Sequence, residues 1–162
     1  MRSSIVRRLA HLALVPAALL GMVTVASPAQ AAAPTFAQLQ TDIVTWTNTY
    51  RTRAGCAPLR LDAKLGAAAR NHSAYMAQTL SFSHTGSGGS TFVVRVKAAG
   101  YTAPLAENIA YGYRDGASVV KAWMASAPHK ANLLNCKAKA VGVGAVYASN
   151  GNPYYTQEFG SV

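Results

Sequence analysis

Acidic side chains are scarce in this sequence: Asp42, Asp62, Glu107, Asp115 and Glu158 are the only five in 162 residues, against 15 Lys and Arg. Any acid–base or metal chemistry must therefore draw on these carboxylates and on four histidines. Cysteine is rarer still. Cys56 and Cys136 stand alone, and neither has a Cys or His neighbour at zinc-finger spacing, which argues against a structural zinc site. Beyond residue 31 no apolar run approaches the roughly 20 residues that a membrane span needs. H-E-x-x-H, C-x-x-C, a Walker loop and G-x-S-x-G are all absent, and with them the chemistries those motifs carry. Gly142-Val143-Gly144 imitates a dinucleotide fingerprint, but Tyr147 stands where the third glycine belongs. These read as sheet glycines.

What is present begins with a leader. Arg2, Arg7 and Arg8 form a basic start, Leu9 to Ala26 are mostly apolar, and Ala29-Gln30-Ala31 is a small-x-small cleavage site, the composition of a secretory signal peptide over residues 1–31. Cleavage there leaves residues 32–162 as a single secreted domain; an uncleaved anchor is the alternative. Arg7-Arg8 keeps a twin-arginine route open beside the general one. The exported part carries 12 Lys and Arg against 5 acids, a net charge near +7. Such a domain is drawn to anionic cell-wall polymer or other extracellular polyanions by salt-sensitive forces. Its cations are scattered without interleaved aromatics, which fits a soluble monomer better than a specific nucleic-acid groove. Two cysteines in an oxidising compartment favour a Cys56–Cys136 disulfide. Closing so long a loop is worth up to about 4.5 kcal/mol in the chain-entropy model.

Apolar spacing predicts a helix after Thr35 with Phe36, Leu39, Ile43, Trp46 and Tyr50 on one face, stopped at Gly55. A second helix is expected after Asp62, with Leu65, Ala69, His72, Met76 and Leu80 in a stripe and His72 a core or boundary residue. Thr91 to Ala99 reads as a short helix or a strand, Leu105 to Ala110 as extended, and Ala117 to Met124 as a helix. Val141 to Tyr147 and Tyr154 to Phe159 are strand-like around the turn chemistry of Ser149 to Pro153. Helices followed by an antiparallel hairpin indicate an α+β sandwich.

Four local segments carry candidate chemistry. Phe82-Ser83-His84-Thr85 puts an imidazole at a helix exit. Glu107-Asn108-Ile109-Ala110 puts a carboxylate in apolar surroundings, where it demands a partner. Trp123 to Asn132 adds His129 behind Pro128, with Ser126 three residues before it, and Tyr154 to Phe159 closes the set. In this order they resemble the CAP superfamily of cysteine-rich secretory proteins, insect venom antigens and plant pathogenesis-related proteins, most of all its small bacterial members.

That resemblance implies a three-layer α-β-α sandwich with a central antiparallel sheet. It also implies a cleft lined, in eukaryotic members, by two histidines and two acids. His84 matches the first cleft histidine and Glu107 the first cleft acid. Ser126 and Tyr154 stand where the second acid and second histidine belong, and His129 offers a replacement imidazole. The expected binding cleft is thus His84, Glu107, Ser126, His129 and Tyr154. His84, His129 and Glu107 are candidate ligands for zinc or another divalent cation. Three functions follow from the resemblance: a binding module for a cation or small ligand, a hydrolase with Glu107 as base and His84 as acid or metal ligand, and a lipid or sterol carrier.

Overall fold

The computed structural model describes residues 33–162, and the leader expected over residues 1–31 lies outside the described residues. Helix starts follow the capping residues. Thr35 and Gln38 form a reciprocal capping box for α1 (Phe36–Arg53). The Asp62 carboxylate accepts from the Lys64 and Leu65 N–H groups to open α2 (Ala63–Thr79). Thr91 caps α3 (Phe92–Ala98) and Asp115 caps α4 (Gly116–Ala125). Side-chain oxygens thus satisfy helix N–H groups that have no acceptor within the helix. A further helix, α5 (Ala127–Leu133), follows α4 after Ser126, with Pro128 in its first turn. The open reading of residues 91–99 resolves as helix.

Among the described residues four strands form one sheet: β1 (Arg60–Leu61), β2 (Pro104–Tyr111), β3 (Ala140–Tyr147) and β4 (Pro153–Gly160), in the order β1-β3-β4-β2. The three long strands are antiparallel, as expected. The two-residue β1 adds a parallel edge beside β3 that apolar patterning was too short to reveal. Helices α2 and α3 pack on one face and α1, α4 and α5 on the other, giving the α-β-α sandwich. Period-two alternation along β4 sends Tyr155, Gln157 and Phe159 toward the α1 side and Tyr154, Thr156 and Glu158 toward α2. A Cβ on Gly142 or Gly144 would fall 2.1 or 2.4 Å from the α2 backbone, so these glycines let α2 lie directly on β3. Among the described residues no helix is long and apolar enough to cross a membrane.

The first helix departs from its expected face. Phe36 and Trp46 are 49% and 42% exposed, while Leu39, Ile43, Thr47 and Arg51, each four apart, are fully buried. The second half of that stripe is polar, which apolar periodicity overlooks: Thr47 accepts from Gln157 Nε2 at 3.0 Å. Arg51 donates to the carbonyls of Ala57, Leu133, Asn135 and Ala138 at 2.8–3.1 Å. Leu80, expected in the α2 stripe, is exposed in the left-handed position that ends the helix. Beside Arg51, Cys56 and Cys136 form the expected disulfide.

Candidate functional site

Strand β2 lies at the edge of the sheet, and its outer side runs past two adjoining clefts. The first, about 590 Å³, is lined by His84, Thr85, Thr91 to Val93, Leu105 to Glu107 and Asn132. The second, about 260 Å³, holds Phe82, Ile109 to Tyr111, Tyr113, Ala122, Trp123, Ser126 and His129. Two of the β2 carbonyls on this side are already used. Asn132 Nδ2 donates to Glu107 O at 3.2 Å and Trp123 Nε1 donates to Ile109 O at 3.0 Å. Side chains thereby blunt an edge that would otherwise pair with another strand.

Glu107 is the centre of the first cleft. Its side chain faces α2 and α3, nearly fully buried, and both oxygens are engaged. His84 Nδ1–H donates to Oε1 at 2.7 Å and Arg95 Nη2–H donates to Oε2 at 2.5 Å. Burial by itself pushes the Glu107 carboxyl up. Hydrogen bonding, above all from His84, and the charge of Arg95 outweigh it and hold the group below its ordinary value. His84 keeps Nε2 for the cleft, and its side chain is 57% exposed. Buried His72 and the largely covered Arg95 fix the segment that carries it. His72 Nε2–H donates to Ser83 O at 2.9 Å, and Arg95 Nη1–H donates to the carbonyls of His84 and Ser90 at 3.1 and 2.7 Å. Burial, above all, drives His72 down, so it is neutral at pH 7.

The other expected site residues divide. Ser126 and His129 share a hydrogen bond of 2.9 Å, Oγ to Nδ1, and line the second cleft. Burial first, and the charge of His84 second, lower the His129 imidazole. Tyr154 is a packing residue: its ring stacks on Tyr111 at 5.7 Å and is buried with Met76 and Ile109. A network the motifs did not announce ties the clefts together, since Asn132 also donates to Asn108 Oδ1 at 2.9 Å and Asn108 donates to His129 O at 3.3 Å.

The expected metal ligands are not assembled. Among the described residues no three His, Cys, Asp or Glu side chains are grouped to hold a metal ion. His84 and Glu107 bond each other, and His129 bonds Ser126 instead. The second Glu107 oxygen, where a dication would sit, is taken by the Arg95 guanidinium. A resident cation there repels a second one, so the donor set does not fit a divalent metal.

Sequence reasoning missed Arg95 and Glu158. Glu158 lies directly opposite Glu107 in the β2–β4 register. The available signal was that an acid-poor chain spends its only two glutamates on two neighbouring strands.

Residues 44–159 match the family model described as CAP, cysteine-rich secretory protein family. The chain is 38% identical over 119 residues to the Bacillus subtilis protein YkwD, covering 72% of this chain and 45% of that one. It is 34% identical over 118 residues to the B. subtilis membrane protein YlbC, covering 72% and 33%. The chain thus spans less than half the length of these curated relatives. A crystal structure of an extracellular protein containing an SCP domain from Bacillus anthracis superposes with a TM-score of 0.71 at 29% identity, over 78% of this chain and 41% of that one. An outer surface protein of Borrelia burgdorferi shares the fold at a TM-score of 0.68 and 20% identity, over 75% and 90%.

Proposed function

The chain belongs to the CAP, or cysteine-rich secretory protein, family, and on that premise we propose that it is an exported binding module. Its cleft beside His84 and Glu107 takes a small ligand, and its basic surface holds it at an anionic extracellular polymer. The leader composition and the +7 balance of residues 32–162 support export and surface attachment, and the B. anthracis relative is described as extracellular.

One observation carries the choice of binding over catalysis: both oxygens of Glu107 are committed, to His84 and to Arg95. A general base working near pH 7 needs its carboxyl pushed up toward that value, and Glu107 is held below its ordinary one. Its geometry serves to orient His84 and not to accept a substrate proton. The cleft then offers an imidazole, two threonine hydroxyls and the Asn132 amide oxygen above the apolar side chains of Phe92, Val93 and Leu105, a set suited to holding a ligand.

The hydrolase reading rests on the same dyad. A carboxylate that fixes Nδ1–H leaves Nε2 as a base toward water, as in the His–Asp part of a triad. Among the described residues no hydroxyl or thiol is hydrogen-bonded to His84, so acid–base action alone would supply about 10²–10⁴-fold. A lipid or sterol carrier calls for a larger apolar groove than the aromatic one of about 260 Å³.

The test is sedimentation of residues 32–162 with insoluble peptidoglycan, together with incubation on peptidoglycan and casein. Expected are binding that weakens from low to physiological ionic strength and no release of soluble fragments. Cleavage that vanishes in a folded Glu107→Gln variant would establish the hydrolase instead.

A further inference from the structure

Glu107 and Glu158 are the only glutamates in the chain, and the β2–β4 register places them as direct partners. Both carboxyls lie on the α2 side of the sheet, and Glu158 is completely buried. Directly opposed residues of an antiparallel pair have Cβ atoms about 4.5–5.5 Å apart, so two carboxylates would confront each other in a low dielectric. On its other flank Glu158 faces Gly142 of β3, which has no side chain to offer. The remaining charged or titratable groups around the pair are His72 on α2, Arg95 on α3 and His84 on the segment between them. Arg95 and His84 are spent on Glu107. His72 Nε2 is 4.0 Å from Glu107 Oε2 and is bonded to Ser83.

No donor group reaches either oxygen of Glu158. Among the described residues the buried side-chain polar atoms without partners are these two oxygens, His72 Nδ1 and Arg95 Nε. All four belong to this one cluster. A buried, unpaired carboxylate costs far more than a neutral acid at the same place, and a neutral acid has the one thing a second carboxylate lacks, a proton to donate.

We infer that the folded protein at pH 7 holds a single proton on this glutamate pair, carried by Glu158 as a neutral acid and directed at the Glu107 carboxylate. The resulting chain, Glu158 O–H to Glu107 and His84 Nδ1–H to Glu107, runs from the sheet interior to an imidazole in the cleft. Glu158 is a positioning residue: by donating from below, it helps hold the carboxylate that orients His84. Burial, and then the charge of Glu107, push the Glu158 carboxyl far up, in keeping with that state. The inference stands whatever the cleft binds.

Because the chain contains two glutamates, the experiment is simple to read. Carbon-13 labelling of the glutamate carboxyls gives two resonances, assigned through the backbone in the wild-type protein so that no variant needs to fold. At pH 7 one should sit at the ionised shift and belong to Glu107, the other at the protonated shift and belong to Glu158. Titration toward acid should then move Glu107 alone. A Glu158→Gln variant, which keeps the donor, should fold and lose only the protonated signal. Its folding constant relative to wild type should rise up to tenfold per pH unit above about 4.5, because the unfolded wild type releases a proton that the folded one keeps. Two ionised carboxyls at pH 7, or a neutral Glu107 beside an ionised Glu158, would overturn the inference.

Discussion

Replacing Arg51 by Met removes a buried cation whose partners are all backbone carbonyls. Of the four, the Leu133 and Ala138 oxygens are bonded to Arg51 in buried surroundings. The Asn135 oxygen also accepts from the Ala138 N–H, and Ala57 is exposed, so water can replace the guanidinium there. The variant therefore strands two buried acceptors, at about 1–3 kcal/mol each. Methionine fills part of the volume but offers them nothing. The expected loss is about 4 kcal/mol. With an unfolding entropy of about 2.1 cal/mol/K per residue over the 130 described residues, that lowers Tm by about 15 °C. Lys keeps the charge, but one ammonium cannot span carbonyls from Ala57 to Ala138, so Arg51→Lys should lose about half as much. Urea unfolding and calorimetry at pH 7 with the disulfide intact measure both. An Arg51→Met protein within about 1 kcal/mol of wild type would refute the assignment of Arg51 as the clamp between the end of α1 and the segment after α5.

Reduction of the Cys56–Cys136 bond, which closes an 80-residue separation, should cost up to about 4.5 kcal/mol; thiol titration of the oxidised protein should find no free cysteine, and two reactive thiols would contradict it. Arg95→Met removes the cation from Glu107 Oε2, so calorimetry at pH 7 should register zinc binding in the variant that exceeds wild type by at least tenfold; equal affinities would sink the argument that Arg95 excludes a metal. His72 is lowered when folded, so below its ordinary value near 6.5 the unfolded chain takes up a proton that the folded one refuses. Wild type should therefore lose stability relative to His72→Asn as pH falls from about 7 to 5, by at most about 1.4 kcal/mol per unit; parallel pH profiles from urea unfolding would rule this out.

Most elements were legible because their signals are local. Thr35, Asp62 and the turn from Ser149 to Pro153 mark boundaries by chemistry that needs no tertiary partner. His84 and Glu107 were legible through the motifs that carry them. Arg51 and Arg95 were not: in the sequence they are two among twelve scattered cations, and only folding brings Arg51 under four carbonyls and Arg95 against Glu107. The buried face of α1 was misread for a related reason, since Thr47 and Arg51 bury polar atoms and apolar counting sees neither. Tyr154 shows the converse case, a residue expected in the cleft from the resemblance whose side chain is packed against Tyr111.

The placement of these charges bears on what the cleft can do. Arg95 is +1, Glu107 is −1 and His72 is neutral, and a neutral Glu158 leaves the cluster behind His84 without net charge. Such a cluster neither attracts a dication nor expels an anion by long-range force; selectivity falls to short-range contacts at His84, Asn132 and the threonines. Long-range attraction must come from the rest of the surface, where ten of the twelve cations remain once Arg51 and Arg95 are set aside. Under the proposed binding role, steering and recognition are thereby separated. Raising ionic strength should weaken attachment to a polyanion while leaving a small ligand's hold on the cleft nearly unchanged, whereas a metal site at Glu107 would tie both to charge. Under the binding role proposed above, such a domain lodges at a charged surface and reads a ligand there by hydrogen bonds.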